Sequence, residues 1–167
     1  MLDIKVVIGL PGSGKSTMIS QESNQNYIII DDWGEWDSKN QWDQLKLANS
    51  ISKLVYVSSI DFCITDKLNE FIAQIKEVFK EVKFDYIYFE NNPHKCVKNI
   101  LSRSLETGDT YVTENGRTYL TGMVSEVGEE GSKYNLAMWQ GAIYQMFKLS
   151  PNYIIPEGSK IINITTR

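Results

Sequence analysis

Residues 9–17 read GLPGSGKST, and they follow directly on the apolar run IKVVI at 4–8. A short, almost continuous apolar run is typical of a strand buried on both faces of a parallel sheet. A glycine-rich turn and a helical pattern come next, which is the context that the spacing GxxxxGK[ST] requires. The fixed positions of that spacing are Gly9, Gly14, Lys15 and Ser16. The stretch therefore predicts a strand, a phosphate-cradling loop and a helix.

Each residue type in the loop suits an anionic ligand. Glycine permits positive φ and close approach of the backbone, so we expect N–H groups from Gly12 to Ser16 to converge on phosphate oxygens. The start of the helix adds partial positive charge. We expect Lys15 to reach the β- and γ-phosphates, Ser16 to bind Mg²⁺ and Thr17 to reach the α-phosphate. The predicted nucleotide contacts are Gly9, Pro11, Gly12, Ser13, Gly14, Lys15, Ser16 and Thr17.

The composition indicates one globular domain over residues 1–167. Hydrophobic residues make up 42% and charged residues 23% of the chain, as in ordinary globular proteins. A net charge of −4 argues against a broad basic surface for nucleic acid, but leaves open a local groove for a strand end. Cys63 and Cys96 form no CxxC pair, so we expect free thiols. Without a leader-like start or a long apolar run, we expect a cytoplasmic protein with no membrane partner.

Strand and helix patterns alternate along the chain. Strands are predicted at 4–8, 27–30, 54–57, 84–89 and 160–165, and helices at 15–23, 40–51, 68–82, 93–105 and 136–147. The clearest helix keeps the i, i+3, i+4, i+7 rhythm from Leu68 to Val82, with Thr65 or Asp66 as its cap. Such alternation implies right-handed βαβ units and a parallel sheet covered on both faces.

Residues 106–132 interrupt this alternation. They are rich in Gly, Thr and Glu, and the pair Asn115-Gly116 lies between the segments TYVTE and RTYLT. An Asn-Gly pair between alternating segments is a strong signal for a hairpin. We therefore expect a hairpin flap inserted into one domain.

Two carboxylates follow the second strand in YIIIDDW. Ligands of open parallel sheets bind beyond the carboxyl ends of the strands, so Asp31 and Asp32 are expected near Lys15. A carboxylate there can orient an attacking hydroxyl and accept its proton. Strand alternation predicts that the two side chains lie on opposite sides. Asp31 is the first choice as base.

The order of these motifs resembles the polynucleotide 5′-kinase type of P-loop kinase, which is common in phages. The resemblance thus adds the alternative of a phage-encoded protein in the host cytoplasm. The resemblance covers about residues 1–105, plus the last strand by position. It implies a three-layer P-loop NTPase sandwich of the α/β class, with a five-stranded parallel sheet in the order 2-3-1-4-5 and a lid helix. The stretches that carry it are GLPGSGKST, IIIDD after the second strand, VYVSSID around the end of the third, and NPHKCVKNILSR after the fourth.

The resemblance also implies cofactors and roles. ATP and Mg²⁺ are the implied cofactors, and Asp31 is the implied base. Lys15 holds the donor phosphates, and Arg103 of the lid helix can clamp the transferred group as its charge spreads. Resemblance and position together make further residues candidate acceptor contacts: Asp32, Trp33, Ser59, Asp61 and Lys98.

On the resemblance, we expect a kinase that phosphorylates a hydroxyl of a nucleic-acid end or of a hydroxymethylated base in DNA. The family often carries an arginine shortly after the strand-two aspartates, whereas DDWGEWDSKNQW has none and is acidic. A small-molecule nucleoside or nucleotide kinase is therefore the alternative, and a non-catalytic nucleotide-binding regulator is the second. A GTP-dependent switch is disfavoured, because the sequence has no NKxD segment and no DxxG after the third strand.

Overall fold

A computed structural model of the chain describes residues 1–21, 26–34, 38–107, 143 and 145–166, with the backbone alone at 101 and 103–107. Strands and helices alternate in it as predicted. Short 3₁₀ turns lie at Ile60–Cys63 and at Ser150–Asn152, and residues 145–149 are helical. The main elements are β1 (Leu2–Ile8), α1 (Lys15–Gln21), β2 (Tyr27–Ile30), α2 (Ser38–Ile51), β3 (Leu54–Ser58), α3 (Thr65–Val78), β4 (Val82–Phe89), α4 (Pro93–Thr107) and β5 (Ile161–Ile162).

The five strands form one sheet in the order β2-β3-β1-β4-β5, and every pairing is parallel. This confirms the expected α/β class and strand order. In the central strand β1, the consecutive residues Val6, Val7 and Ile8 are all buried. Because successive side chains of a strand point to opposite faces, both faces of the sheet are covered there.

The last strand is shorter than predicted. Among the described residues, β5 pairs only with Tyr88 and Phe89 of β4. Beyond it, the Ile164 N–H donates to Glu90 Oε1 at 2.9 Å, and the Thr165 carbonyl accepts from Asn99 Nδ2 at 3.0 Å. Side chains thus take the backbone bonds that a longer ladder would have used, and the prediction of a strand over 160–165 is wrong beyond Ile162.

The helix α3 also differs from its prediction at both ends. It begins at Thr65 after Ile64, an extended residue, and no side chain caps it, so the predicted caps are wrong. It ends at Val78, since Phe79 is extended and Val82 already belongs to β4. Apolar residues continue the rhythm past Val78 because loop and strand residues pack into the same core.

Helix α4 begins as predicted. Pro93 occupies its first position, where the missing N–H costs nothing. The side chain of Asn92 accepts from the Lys95 N–H at 3.2 Å and caps the helix. The predicted hairpin flap falls outside the described residues from 108 onward, so its expected hairpin stays a prediction.

Tyr153 anchors the ends of two neighbouring strands, β1 and β4. Its buried hydroxyl lies 2.5 Å from the carbonyl oxygen of Phe89 and 3.3 Å from that of Ile8. Burial raises the pKa of this phenol far above its ordinary value, so it stays a donor. The strand end from which the glycine-rich turn departs is therefore held in place. No helix within the described ranges combines the length and the apolar character needed to span a membrane.

Candidate functional site

The segment between β1 and α1, residues 9–14, is called the glycine loop below. It contains a type II turn from Leu10 to Ser13, with Pro11 at the second position and Gly12 at the third, where φ is +83°. The Ser13 N–H donates to the Leu10 carbonyl at 3.1 Å. This corrects one expectation, because that N–H group is bonded within the loop. The N–H groups left for an anion include those at the start of α1, which have no partner inside the helix.

The glycine loop packs directly against α4. A Cβ on Gly12 would lie 2.5 Å from the Cys96 carbonyl oxygen and 2.8 Å from Ile100 Cγ1. Contacts this close leave no room for a side chain, and the positive φ disfavours one independently. Gly12 is therefore required twice, by its backbone conformation and by the helix that covers it.

Lys15 folds back over the loop. Its ammonium donates to the carbonyl oxygens of Gly9 at 2.8 Å and of Leu10 at 3.0 Å. Burial lowers the pKa of Lys15, because a charged ammonium loses its hydration there. The side chain is thus a half-buried cation whose ammonium is bonded to the carbonyls at the start of the loop.

Asp31 lies at the end of β2 and is held by three donors. Ser16 Oγ donates to its Oδ2 at 3.2 Å, Ser58 Oγ donates to its Oδ1, and the Asp32 N–H donates to Oδ1 at 3.1 Å. The sheet order explains the meeting, since β3 lies between β1 and β2 and Ser58 ends β3. The sequence did not predict that Ser58 fixes Asp31. Ser58 is part of the motif VYVSSID, but no role was assigned to it.

Asp32 lies beside Asp31 and lines the same cavity, so the prediction of opposite sides is wrong. The strand β2 ends at Ile30, so strand alternation does not extend to the aspartates. Asp32 instead adopts a left-handed conformation, with φ of +54°. Partial burial raises the pKa of the Asp32 carboxyl, the charge of Asp31 raises it further, and Lys15 opposes both.

A cavity of about 240 Å³ opens between the glycine loop and these carboxylates; it is called the aspartate cavity. Ile60 and Ile100 form its apolar part. Lys15 is the only basic residue among the described residues that line it. The remaining lining residues are Pro11, Gly12, Gly14, Ser16, Thr17, Asp31 and Asp32.

A second cavity, of about 260 Å³, lies on the other side of the glycine loop; it is called the β5 cavity. Residues of α1 line it on one side: Thr17, Met18 and Gln21. Ile162 of β5 and the residues Asn163 and Thr165 that follow it line the cavity as well, as do Phe89 and Asn99. The two cavities share Gly12, Gly14 and Thr17. The glycine loop therefore separates an acidic cavity from a less polar one.

Gln41 of α2 holds the segment that carries the aspartates. Its Oε1 accepts from the Gly34 N–H at 2.9 Å, and its Nε2 donates to the Asp32 carbonyl at 3.3 Å. Its side chain is only 7% exposed. Sequence reasoning missed this residue, since a single glutamine in a polar helix carries no signal of its own.

Trp33, a candidate acceptor contact, packs into an aromatic cluster. Its ring meets Trp42 edge-on at 5.3 Å and Phe71 at 5.1 Å between centroids. The backbone N–H of Trp33 donates to the Ser58 carbonyl at 3.0 Å. In the described part of the chain, its side chain lines neither cavity and joins α2 and α3 to the sheet.

The other candidate acceptor contacts lie apart from the aspartate cavity. Ser59 caps the 3₁₀ turn after β3 by accepting from the Asp61 N–H at 3.2 Å, and Asp61 is exposed. Lys98 is exposed on α4. None of these three residues is among the described residues that line the aspartate cavity. Arg103 lies on α4, and its side chain is outside the description.

The oxygen atoms of Ser16 and Asp31 suit Mg²⁺, which accepts one or two protein oxygens and completes its shell with phosphate and water. Within the described ranges, no cluster of three or more His, Cys, Asp or Glu residues could hold a metal by itself. Cys63 and Cys96 are both free and buried, as predicted. The pair Ser16–Asp31 therefore fits a cation that arrives with a nucleotide better than a resident metal.

Comparison with known proteins adds no assignment. No protein-family model matches the chain, and no curated protein matches it significantly. Any function must therefore be argued from the residues of the site.

Proposed function

We propose that this protein has the P-loop NTPase fold and is an ATP- and Mg²⁺-dependent kinase. Its acceptor is a hydroxyl of a nucleic-acid end or of a hydroxymethylated base in DNA. The observation that carries the proposal is the hydrogen bond of 3.2 Å from Ser16 to Asp31. It sets a carboxylate beside the loop position where the terminal phosphate of a donor would be held, and phosphoryl transfer requires little beyond such positioning and charge neutralisation.

The donor would be bound around the glycine loop. Lys15 would turn its ammonium from the loop carbonyls to the β- and γ-phosphates. Ser16, supported by Asp31, would hold Mg²⁺, which neutralises charge on the phosphate oxygens. The less polar β5 cavity, on the other side of the loop, would receive the nucleoside part of the donor.

The acceptor would be bound in the aspartate cavity. Asp31 would orient the acceptor hydroxyl and take its proton, while the acceptor oxygen bonds to the γ-phosphorus and the bond to the β–γ bridging oxygen breaks, releasing ADP. Ser58 would keep Asp31 in the required orientation. Arg103 follows Ile100 by three residues on α4, and in this proposal it clamps the transferred group.

The charge of the aspartate cavity favours a second candidate acceptor. Two carboxylates line it, and its basic residue, Lys15, would be occupied by the donor. Such a cavity repels a run of phosphodiesters and accepts a neutral hydroxyl compound more readily. A nucleoside or nucleotide kinase is therefore the alternative, and a regulator that binds ATP without transfer is the second.

Transfer of label from γ-labelled ATP tests these functions together. The acceptors are 5′-hydroxyl DNA and RNA, DNA with hydroxymethylated bases, nucleosides and nucleotides, each with Mg²⁺ and with a chelator. We expect Mg²⁺-dependent labelling of one acceptor class, and the class identifies the substrate. If ATP binds but no acceptor is labelled, the kinase proposal fails and the regulatory one replaces it.

A further inference from the structure

We infer that Asn99 of α4 is a positioning residue that joins the glycine loop to the chain after β5, so that the triphosphate and the nucleoside part of a ligand are bound in one fixed register. The inference rests on the nucleotide-binding part of the proposed function and does not depend on phosphoryl transfer. Nothing in the loop motif itself requires such a residue.

The contacts of Asn99 come from a single amide group. Its Nδ2 donates to the Gly12 carbonyl at 2.9 Å and to the Thr165 carbonyl at 3.0 Å. An amide nitrogen carries two hydrogens, and these two bonds use both. The residue is only 9% exposed, so water competes little for these bonds. One side chain thus holds two segments that are distant in sequence.

The first contact fixes the orientation of one peptide group in the loop. The Gly12 carbonyl and the Ser13 N–H belong to the same planar unit. Asn99 holds the carbonyl, and the Leu10 carbonyl accepts from the Ser13 N–H at 3.1 Å. With both ends bonded, this peptide cannot rotate and turn its carbonyl oxygen toward an anion.

The second contact reaches the wall of the β5 cavity. Thr165 lines that cavity, and Asn99 itself lines it too. The cavity proposed for the nucleoside and the loop proposed for the phosphates therefore share one support. If this support is lost, each part of a ligand still finds its own contacts, but the two sets of contacts are no longer held at a fixed separation.

The residue type is specific. An aspartate at position 99 has nearly the same shape, but it would set carboxylate oxygens against the carbonyls of Gly12 and Thr165. An alanine would leave both carbonyls without this donor. Asn99→Asp therefore reverses the interaction with little change in volume, and Asn99→Ala removes it without adding charge.

The test compares dissociation constants for ATP and for tripolyphosphate, which contacts the loop alone. In Asn99→Asp we expect the Kd for ATP to rise about 10-fold or more, from the loss of one to two hydrogen bonds. We expect the Kd for tripolyphosphate to rise by a clearly smaller factor, and the Ser13 amide to exchange its hydrogen faster. Ser102→Ala is the matched control, because among the described residues the Ser102 hydroxyl bonds only within α4, to the Lys98 carbonyl at 3.0 Å.

Two results would overturn the inference. A Kd for ATP within about twofold of the wild type, in a variant that melts cooperatively, would show that Asn99 does not position the ligand. Equal losses for ATP and tripolyphosphate would show that it acts on the loop alone. If Asn99→Asp does not fold, Asn99→Ala is measured in the same way. Wild-type protein that binds ATP without transferring phosphate contradicts the kinase proposal only, whereas failure to bind either ligand contradicts both.

Discussion

Ser16 and Asp31 are joined by a hydrogen bond of 3.2 Å, although they follow strands that are not neighbours in the sheet. The intervening strand β3 ends at Ser58, whose hydroxyl bonds the other carboxylate oxygen of Asp31. The ends of the adjacent strands β2 and β3 and the start of α1, which follows the next strand β1, therefore meet at one carboxylate. The position of Asp31 is thus determined by the topology of the sheet as well as by its own loop.

Replacing Asp31 by asparagine should separate binding from chemistry. Asparagine keeps the shape but removes the proton acceptor, so we expect turnover to fall by about 10²–10⁴-fold. The Kd for ATP should change little, because the glycine loop and Lys15 are intact. Kinetics and calorimetry on the acceptor found by the labelling screen measure both quantities. Asp43→Asn, on the exposed face of α2, is the control. Unchanged turnover in Asp31→Asn would exclude Asp31 as base.

The raised pKa of Asp32 predicts a pH-dependent difference in stability. Its folded-state pKa lies above the ordinary aspartate value of about 4, so the folded protein holds this proton more tightly than the unfolded chain does. The stabilisation is complete below the unfolded pKa and is lost as pH rises through the folded one. We therefore expect the Tm difference, defined as the Tm of Asp32→Asn minus that of the wild type, to increase as pH rises from about 3 to about 6. A Tm difference that is constant or falls over this range would contradict the shift.

Replacing Lys15 by methionine should weaken ATP binding without unfolding the protein. The side chain keeps its length, but the ammonium that would meet the phosphates is lost. Because charge-assisted bonds are stronger than neutral ones, we expect the Kd for ATP to rise by about 10-fold or more. Titration calorimetry measures the Kd, and Lys46→Met on the exposed face of α2 controls for the loss of charge. Normal ATP binding in Lys15→Met would contradict the assignment of the loop.

Replacing Gly12 by alanine should cost more than the same change at Gly158. Both glycines have nearly equal φ, +83° and +82°, so each alanine pays about 1–2 kcal/mol for the left-handed conformation. At Gly158 a Cβ would meet none of the described atoms within 4 Å, whereas at Gly12 it would meet the Cys96 carbonyl at 2.5 Å. Denaturant unfolding should show the greater loss for Gly12→Ala, and only that variant should lose ATP binding. Equal losses would show that α4 yields to the added carbon.

The strand order was implied by the resemblance of the motifs to P-loop kinases, whereas the alternation of strands and helices and the glycine loop could be predicted because their signals are local. The run at 4–8 and the spacing of Gly9 and Lys15 are readable without knowledge of distant neighbours. The position of Asp31 followed from the rule that ligands collect at the carboxyl ends of parallel strands. These features need only the pattern of one segment and a general rule of assembly.

The supports of the site could not be predicted, because each depends on a contact or a backbone conformation that no local pattern of the sequence encodes. Asn99 bonds residues 87 and 66 positions away, and Gln41 bonds the backbone of a preceding loop. The side of the sheet on which the Asp32 side chain lies depends on the left-handed backbone conformation of Asp32 itself, which is only mildly favoured for aspartate. The early end of β5 has the same origin, because side chains of Glu90 and Asn99 take its next backbone groups.

Two supports of the glycine loop have a consequence for biosynthesis. They are the hydroxyl of Tyr153, which anchors the strand ends, and the carbonyl of Thr165, which accepts from Asn99. In the order of translation the loop motif precedes both supports, and residues 18–152 lie between it and the first of them. A nascent chain that has exposed residues 1–105 carries the loop, Asp31 and most of the sheet without either of them. The site with both supports therefore forms only after residues up to Thr165 have emerged from the ribosome.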